Sequence, residues 1–337
     1  MGVVAAIDLG YGKEASLVVA LVFGPFVACA LTTVGDTILT AVVATILSVT
    51  LGWPDGTIGT SAHIVRVAAV AVGGGLAVWL AVQRSRREAK LVAVTRVAEA
   101  AQQTILHPLP EAIDGMRVTA RYLSAAAEAR IGGDFYDATS TPWGMRLVVG
   151  DVRGKGLEAV RLASVLLGEF RSRAASEPDL VALASLVDEA GRRHTDESGE
   201  EFATAVFVQL HERLVTTVRC GHPYPLLFTS GTAAPVLTTV SLPICMAGTP
   251  VADTHPLPAG ARLLYYSDGA FEGRDRRGRQ FDLVASFARH GGTPAPEDAL
   301  DLILSDLRRH CAKGIDDDVV LVLVEEASPR VAGAVRE

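Results

Sequence analysis

The sequence predicts an α+β domain of layered, largely antiparallel sheets, preceded by an α-helical membrane segment. Three observations predict it. Apolar residues crowd three stretches before Gln83. After Met116, strand-like runs come in groups and so do helix-like runs, without the alternation of a βαβ repeat. The mean hydropathy of +0.31 over 337 residues is high for a water-soluble chain, so the apolar residues must be concentrated somewhere.

The three stretches run from about Ala15 to Val34, Thr37 to Gly52 and Ile64 to Val82. A spanning helix needs roughly 17–25 apolar residues. The first and third meet that length and the second is marginal, so two spans plus a re-entrant piece is the alternative. Arg84, Arg86, Arg87 and Lys90 follow the third stretch, whereas Trp53 to Ala62 holds no Lys or Arg. The positive-inside rule then puts everything after the third helix in the cytoplasm and, with three spans, the N-terminus outside. The expectation for residues 1–82 is a segment of about three transmembrane helices in a multi-pass protein of the cell membrane. Ala28-Cys29-Ala30 looks faintly like a signal cleavage site. The leader has no basic n-region, however, and two more apolar stretches follow. Arg66, near the outer end of the third helix, reads as a snorkelling side chain.

Residues 83–110 read as a helical linker. Leu91, Val94, Ala98, Ala101 and Ile105 recur at spacings of three and four, one apolar face of a helix, and Pro108 and Pro110 end it. That face packs either on its own domain or against a second copy in a parallel two-helix linker, which would make a homodimer.

Residues 111–327 form the cytoplasmic domain, followed by a flexible tail, 328–337. Its strand-like runs are Arg117–Leu123, Met145–Val149, Ala203–Leu210, Leu214–Arg219, Arg262–Tyr266 and Val319–Glu325. Its helix-like runs are Leu157–Ala174, Asp179–His194, Phe281–Arg289 and Glu297–Cys311, two of them with a proline just ahead as a start signal. Three aspartate sites lie beside apolar strands: Asp151 ends one, Asp268 follows another, and Asp316-Asp317-Asp318 precedes the last. Asp134 follows Gly132-Gly133. Each motif alone is an ordinary turn; their co-occurrence, each at a strand end, places several carboxylates on one sheet rim. Such carboxylates repel one another unless a cation neutralises them. Hard oxygen ligands suit Mg(II) or Mn(II), and two such ions about 3.5–4 Å apart can hold a bridging hydroxide and clamp a phosphoryl group. The glycine-rich run 151–156 is no phosphate-cradling P-loop, because Gly156 follows Lys155 where Ser or Thr is needed. A net charge of −7 gives no electrostatic reason for a nucleic-acid partner. The cysteines, at 29, 220, 245 and 311, have no zinc or redox spacing and read as free thiols.

The ordered set Gly132-Gly133-Asp134-Phe135-Tyr136-Asp137, Gly150-Asp151-Val152-Arg153-Gly154-Lys155-Gly156, Phe202-Ala203-Thr204-Ala205, Gly221-His222-Pro223, Tyr266-Ser267-Asp268-Gly269 and Asp317-Asp318-Val319 resembles the SpoIIE-type branch of the metal-dependent type 2C serine/threonine phosphatases, in a membrane-attached bacterial subgroup. The resemblance spans roughly Ala98 to Glu325. It implies an αββα sandwich of two antiparallel sheets flanked by helices, with two metal ions, Mn(II) or Mg(II), in a cleft between the sheets. It implies Asp134, Asp151, Asp268 and Asp317 as catalytic ligands, with the backbone carbonyl of Val152 and with Asp318 as the alternative to Asp317. The substrate it implies is phosphoserine or phosphothreonine on a regulatory protein, of the anti-anti-sigma type. Arg130, Arg153 and Lys155 are candidates for the substrate phosphate. His222 sits in a turn of the family pattern, so a structural role is expected of it in preference to proton donation. Ile244-Cys245-Met246 departs from the Leu-Gly-type stretch usual after Pro243. The competing reading is a catalytically silent, membrane-tethered module that binds a phosphoprotein.

Overall fold

The computed structural model describes residues 18–51, 53, 58–105, 108–124, 132–195, 201–311, 314–315 and 317–327. The chain divides into two compact units, Met1–Val94 and Thr95–Glu337.

In the first unit a short 3-10 turn, Val18–Val22, leads into α1 (Phe23–Leu31); α2 (Val34–Thr50) and α3 (Ser61–Ile105) follow. The first two expected stretches are separate helices, divided at Thr32–Thr33, close to the expected boundary. There Thr33 Oγ1 accepts the Asp36 N–H at 3.3 Å and Asp36 Oδ2 accepts the Thr33 N–H at 3.2 Å, a reciprocal cap that starts a new helix. The multi-pass expectation finds no support in helix length. Among the described residues one helix, Ser61–Lys90, is long and apolar enough to cross a membrane, while Ala20–Leu31 and Val34–Thr50 are shorter apolar helices. Leu21, Ala44, Leu51 and Val70 pack together at the centre of this unit. Arg84 donates to the carbonyls of Cys29 and Ala30 at 2.7 Å and of Thr32 at 2.8 Å, satisfying the open C-terminal end of α1. Phe23, Val27, Leu31, Leu39, Ile46, Ile64, Val72 and Trp79 face outward. The apolar seam expected on Leu91, Val94, Ala98, Ala101 and Ile105 lies outside the residues whose side chains are described.

The second unit opens with β1 (Ala112–Ile113), β2 (Met116–Leu123), β3 (Phe135–Thr141) and β4 (Gly144–Val152), then α4 (Leu157–Arg173) and α5 (Leu180–Arg192). A run of strands follows: β5 (Ala203–His211), β6 (Leu214–Cys220), β7 (Leu226–Thr229), β8 (Thr232–Pro235), β9 (Val240–Ser241), β10 (Ala252–Pro256) and β11 (Arg262–Tyr266). The chain continues through α6 (Gly269–Glu272), α7 (Leu283–His290) and α8 (Pro296–His310) to β12 (Val319–Glu326). One sheet has the order β1-β2-β12-β11-β7-β8 and the other β10-β6-β5-β4-β3. All these pairings are antiparallel, and β9 adds a short parallel pairing to β6.

Period-two alternation along the strands sorts the apolar side chains into layers. Leu147, Val149, Val206 and Val208 of one sheet meet Leu263, Tyr265, Val320, Val322 and Val324 of the other. On the outer face of the first sheet, Val148, Val152 and Phe207 pack under Leu162, Leu166, Phe170, Leu183 and Val187 of α4 and α5. On the outer face of the second, Leu264, Leu321 and Leu323 pack under Phe287, Leu300, Ile303 and Leu307 of α7 and α8. The result is the expected helix–sheet–sheet–helix sandwich. It leaves one rim, between the ends of β4, β11 and the start of β12, where polar side chains gather.

Candidate active site

Strand ends position every acidic residue of the site. Asp134 is the residue before β3, and Asp151 lies next to the end of β4. The pairing of Phe135 with Gly150 brings these two ends together. Asp268 follows β11, Asp317 and Asp318 lead into β12, and Tyr266 pairs with Leu321, so these ends are also neighbours. The inner face of one sheet meets the inner face of the other, and the two pairs of ends share the rim.

Hydrogen bonds fix the carboxylates individually. The Ser267 hydroxyl donates to Asp134 Oδ2 at 2.8 Å and accepts the Val320 N–H at 2.9 Å. Asp318 Oδ2 accepts the Gly132 N–H at 2.9 Å and the Tyr122 hydroxyl. Asp317 Oδ1 accepts the Lys155 ammonium at 2.8 Å and the Asp318 N–H at 2.9 Å. The two glycines before Asp134 are required by close approach. A Cβ on Gly132 would stand 2.2 Å from Asp318 Oδ2, and one on Gly133 would stand 2.5 Å from the Val152 carbonyl oxygen.

The electrostatics follow from this crowding. Burial first, and then the charge of Asp151, with smaller contributions from Asp318 and Asp268, hold Asp134 well above the ordinary carboxylate range. Asp151 is pushed up to about 7 by burial and by Asp268 and Asp317. Burial, Asp317 and Glu272 raise Asp268. Among the described residues no three His, Cys, Asp or Glu side chains close on a common point tightly enough to hold a metal ion. Asp317 is turned to Lys155 and Asp318 to Gly132 and Tyr122. The donor set is nonetheless entirely oxygen. Partly desolvated carboxylates that lift one another's pKa are the environment a hard divalent cation neutralises, so the residues fit such a group.

Of the candidates named from sequence, the fold brings together Asp134, Asp151, Val152, Asp268, Asp317 and Asp318, with Lys155 at the edge. Arg153 lies over the Phe202 ring, 5.4 Å from its centroid. Arg130 falls outside the described residues. His222 is buried, and burial pushes it down to about 3, which favours the neutral ring. Its Nδ1 lies 2.9 Å from the Thr204 hydroxyl, and Thr204 pairs across strands with Asp151. The support given by Tyr122, Thr204 and Ser267 was not assigned from sequence. Ser267 and Thr204 stand inside the motifs, whereas nothing local marks Tyr122, which reaches Asp318 only because β2 pairs with β12.

The model of the stage II sporulation protein E (SpoIIE) family matches residues 141–326, more than half of the chain. The chain belongs to the SpoIIE family. The matched segment carries Asp151, Asp268, Asp317 and Asp318, and Asp134 lies just before it. Among solved structures, the RsbU and RsbW domains of Rv1364c from Mycobacterium tuberculosis are 26% identical with a TM-score of 0.59, over 67% of this chain and 64% of that one. The PP2C phosphatase domain of SpoIIE from Bacillus subtilis, with a fragment of its regulatory domain, is 20% identical with a TM-score of 0.51, over 64% and 65% of the two chains. The SiaA-PP2C domain of Pseudomonas aeruginosa is 17% identical with a TM-score of 0.56, over 72% of this chain and 98% of that one. This SpoIIE-family chain thus spans slightly less than two thirds of the length of the first two, and its second unit has the fold of a PP2C-type phosphatase domain.

Proposed function

We propose that the second unit is a metal-dependent protein serine/threonine phosphatase. It hydrolyses phosphoserine or phosphothreonine on a cytoplasmic regulatory protein, which the resemblance makes an anti-anti-sigma-type factor. Asp134, Asp151, Asp268 and Asp317, with the Val152 carbonyl, hold two divalent ions, Mn(II) or Mg(II). The observation that carries this reading is the convergence of Asp134, Asp151 and Asp268, from three separate strand ends, on one rim, where burial and neighbouring carboxylates raise all three. Divalent ions bound there supply Lewis-acid polarisation of a phosphate ester and lower the pKa of water.

The chain's own residues do the rest. Ser267 fixes the orientation of Asp134. Asp318, held by Gly132 and Tyr122, supports the turn that presents Asp317, which favours Asp317 over Asp318 as the ligand. Gly133 keeps space beside the Val152 carbonyl. Neutral His222 braces Thr204 behind Asp151. The apolar stretch of α3, followed by Arg84, Arg86, Arg87 and Lys90, supports a membrane tether with the phosphatase unit on the cytoplasmic side.

Replacing Asp151 or Asp268 with Asn tests the site. Each variant is expected to lose about 10²–10³-fold in Mn(II)-dependent hydrolysis of a chromogenic phosphate ester. Undiminished turnover in both removes these residues from the mechanism. Manganese uptake without turnover in the unaltered chain would select the silent phosphoprotein-binding module instead.

A further inference from the structure

We propose that Lys155 is an internal latch: its ammonium holds Asp317 while no divalent cation is bound, and cation binding releases the 153–156 loop. The inference rests on reading the carboxylate cluster as a cation site. The Lys155 ammonium lies 2.8 Å from Asp317 Oδ1, joining the loop after β4 to the turn before β12. Asp317 belongs electrostatically to the cluster, because its charge raises both Asp151 and Asp268. The Lys155 charge acts on the cluster in the opposite sense, lowering Asp268. Lys155 therefore supplies one positive charge where several carboxylates converge, the electrostatic part of what a cation would supply.

Lys155 stands between two glycines. Gly154 and Gly156 flank it with φ of 98° and 91°, and at neither position would an added Cβ meet any atom within 4 Å. Only glycine adopts such angles freely. On one side the loop is anchored by the Arg153 N–H, which donates to the Phe202 carbonyl at 2.9 Å, and by the Arg153 guanidinium over the Phe202 ring. On the other side Leu157 begins α4. Gly156 is fixed, its carbonyl accepting the Val160 N–H at 3.1 Å to open α4, so Lys155 swings about Gly154 without disturbing the strand that carries Asp151. The pair itself is partly open to solvent, with side-chain exposures of 30% and 44%, and ion pairs of that kind are weak. A divalent cation competing for the same Asp317 oxygen carries twice the charge and gathers further carboxylates, so it displaces the ammonium.

Hydrogen exchange of the full chain in detergent, with and without Mn(II), reads the latch directly, and calorimetry reads Mn(II) affinity on the same samples. The expected result has opposite signs in two places. Peptides over 153–156 exchange several-fold faster when Mn(II) is added, while those over Asp317 and β12 slow down. In Lys155→Met the loop exchanges fast in both states, and Mn(II) binds about five- to tenfold more tightly. If Mn(II) binds but the loop slows or does not change, or Lys155→Met binds no more tightly, the latch is overturned and the metal site stands. If neither the unaltered chain nor Lys155→Met takes up Mn(II), the metal reading fails and the latch with it.

Discussion

The Ser267 hydroxyl is buried between the two sheets, donating to Asp134 of one sheet's rim and accepting the Val320 N–H of the other. Alanine there would strand a buried amide and release a buried carboxylate. Ser267→Ala is therefore expected to lose about 1–3 kcal/mol of stability in chemical denaturation, whereas Ser267→Thr, which keeps the hydroxyl, should stay near the unaltered chain. That the four candidate aspartates lie on one rim was legible in the sequence because each adjoins an apolar strand, and a strand end is a rim wherever the sheets pack. The reason for Gly132-Gly133 was not legible. Glycine reads as a turn, but here it admits Asp318 and Val152 at distances a Cβ would forbid. Nor could the sequence show that Cys245, in the departure after Pro243, has a left-handed φ of 75°. A non-glycine residue there stores on the order of 1 kcal/mol of strain, and its N–H is held by Asp188 at 2.7 Å.

At the scale of elements, hydropathy separates the first two apolar stretches near Val34, but the cap that divides them at Thr32–Thr33 is visible only in the fold. The six central strands and four main helices were legible from period and punctuation. β3, β7, β8 and β10 were not: β8 and β10 are short edge strands rich in proline, threonine and alanine, β7 has only four residues, and the edge strand β3 turns polar after Phe135-Tyr136. How α7 and α8 are fastened was equally hidden. Asp306 of α8 accepts Arg289 at 2.7 Å, Ser286 at 2.9 Å and His290 at 3.0 Å, and also pairs with Arg309. Burial alone would raise this carboxyl, but the hydrogen bonds from Arg289, Ser286 and His290 outweigh it and hold it at about 2. A folded-state pKa below the ordinary 3.8 stabilises the fold above about pH 4, and that stability is lost as pH falls toward 2. Asp306→Asn should therefore be less stable by about 1–2 kcal/mol at pH 7, with the difference closing below pH 3. Denaturation midpoints at the two pH values check this, and a constant gap would show that the carboxylate charge is not what fastens the helices.

Across the whole second unit, the rim carboxylates pull the pH dependence the other way. Asp134, Asp151 and Asp268 are raised in the metal-free fold, Asp151 to about 7. A raised folded-state pKa contributes stability that is fully present below the unfolded value near 3.8 and is lost as pH climbs through the folded value. The metal-free chain should accordingly lose stability between about pH 4 and pH 7, a window separate from that of Asp306. A divalent cation binds the deprotonated carboxylates, so its stabilising effect must grow over the same interval in which the metal-free fold weakens. At a free Mn(II) concentration about 100 times Kd, binding contributes about 2.7 kcal/mol, which for a domain of this size is roughly 5–10 °C in Tm. Scanning calorimetry in EDTA and in Mn(II) should show a shift of that order at pH 8 and a clearly smaller one at pH 5, where protons compete for Asp151. Equal shifts at both pH values would mean that the ion is held somewhere other than these aspartates. The sandwich would then bring the carboxylates together without using them as ligands.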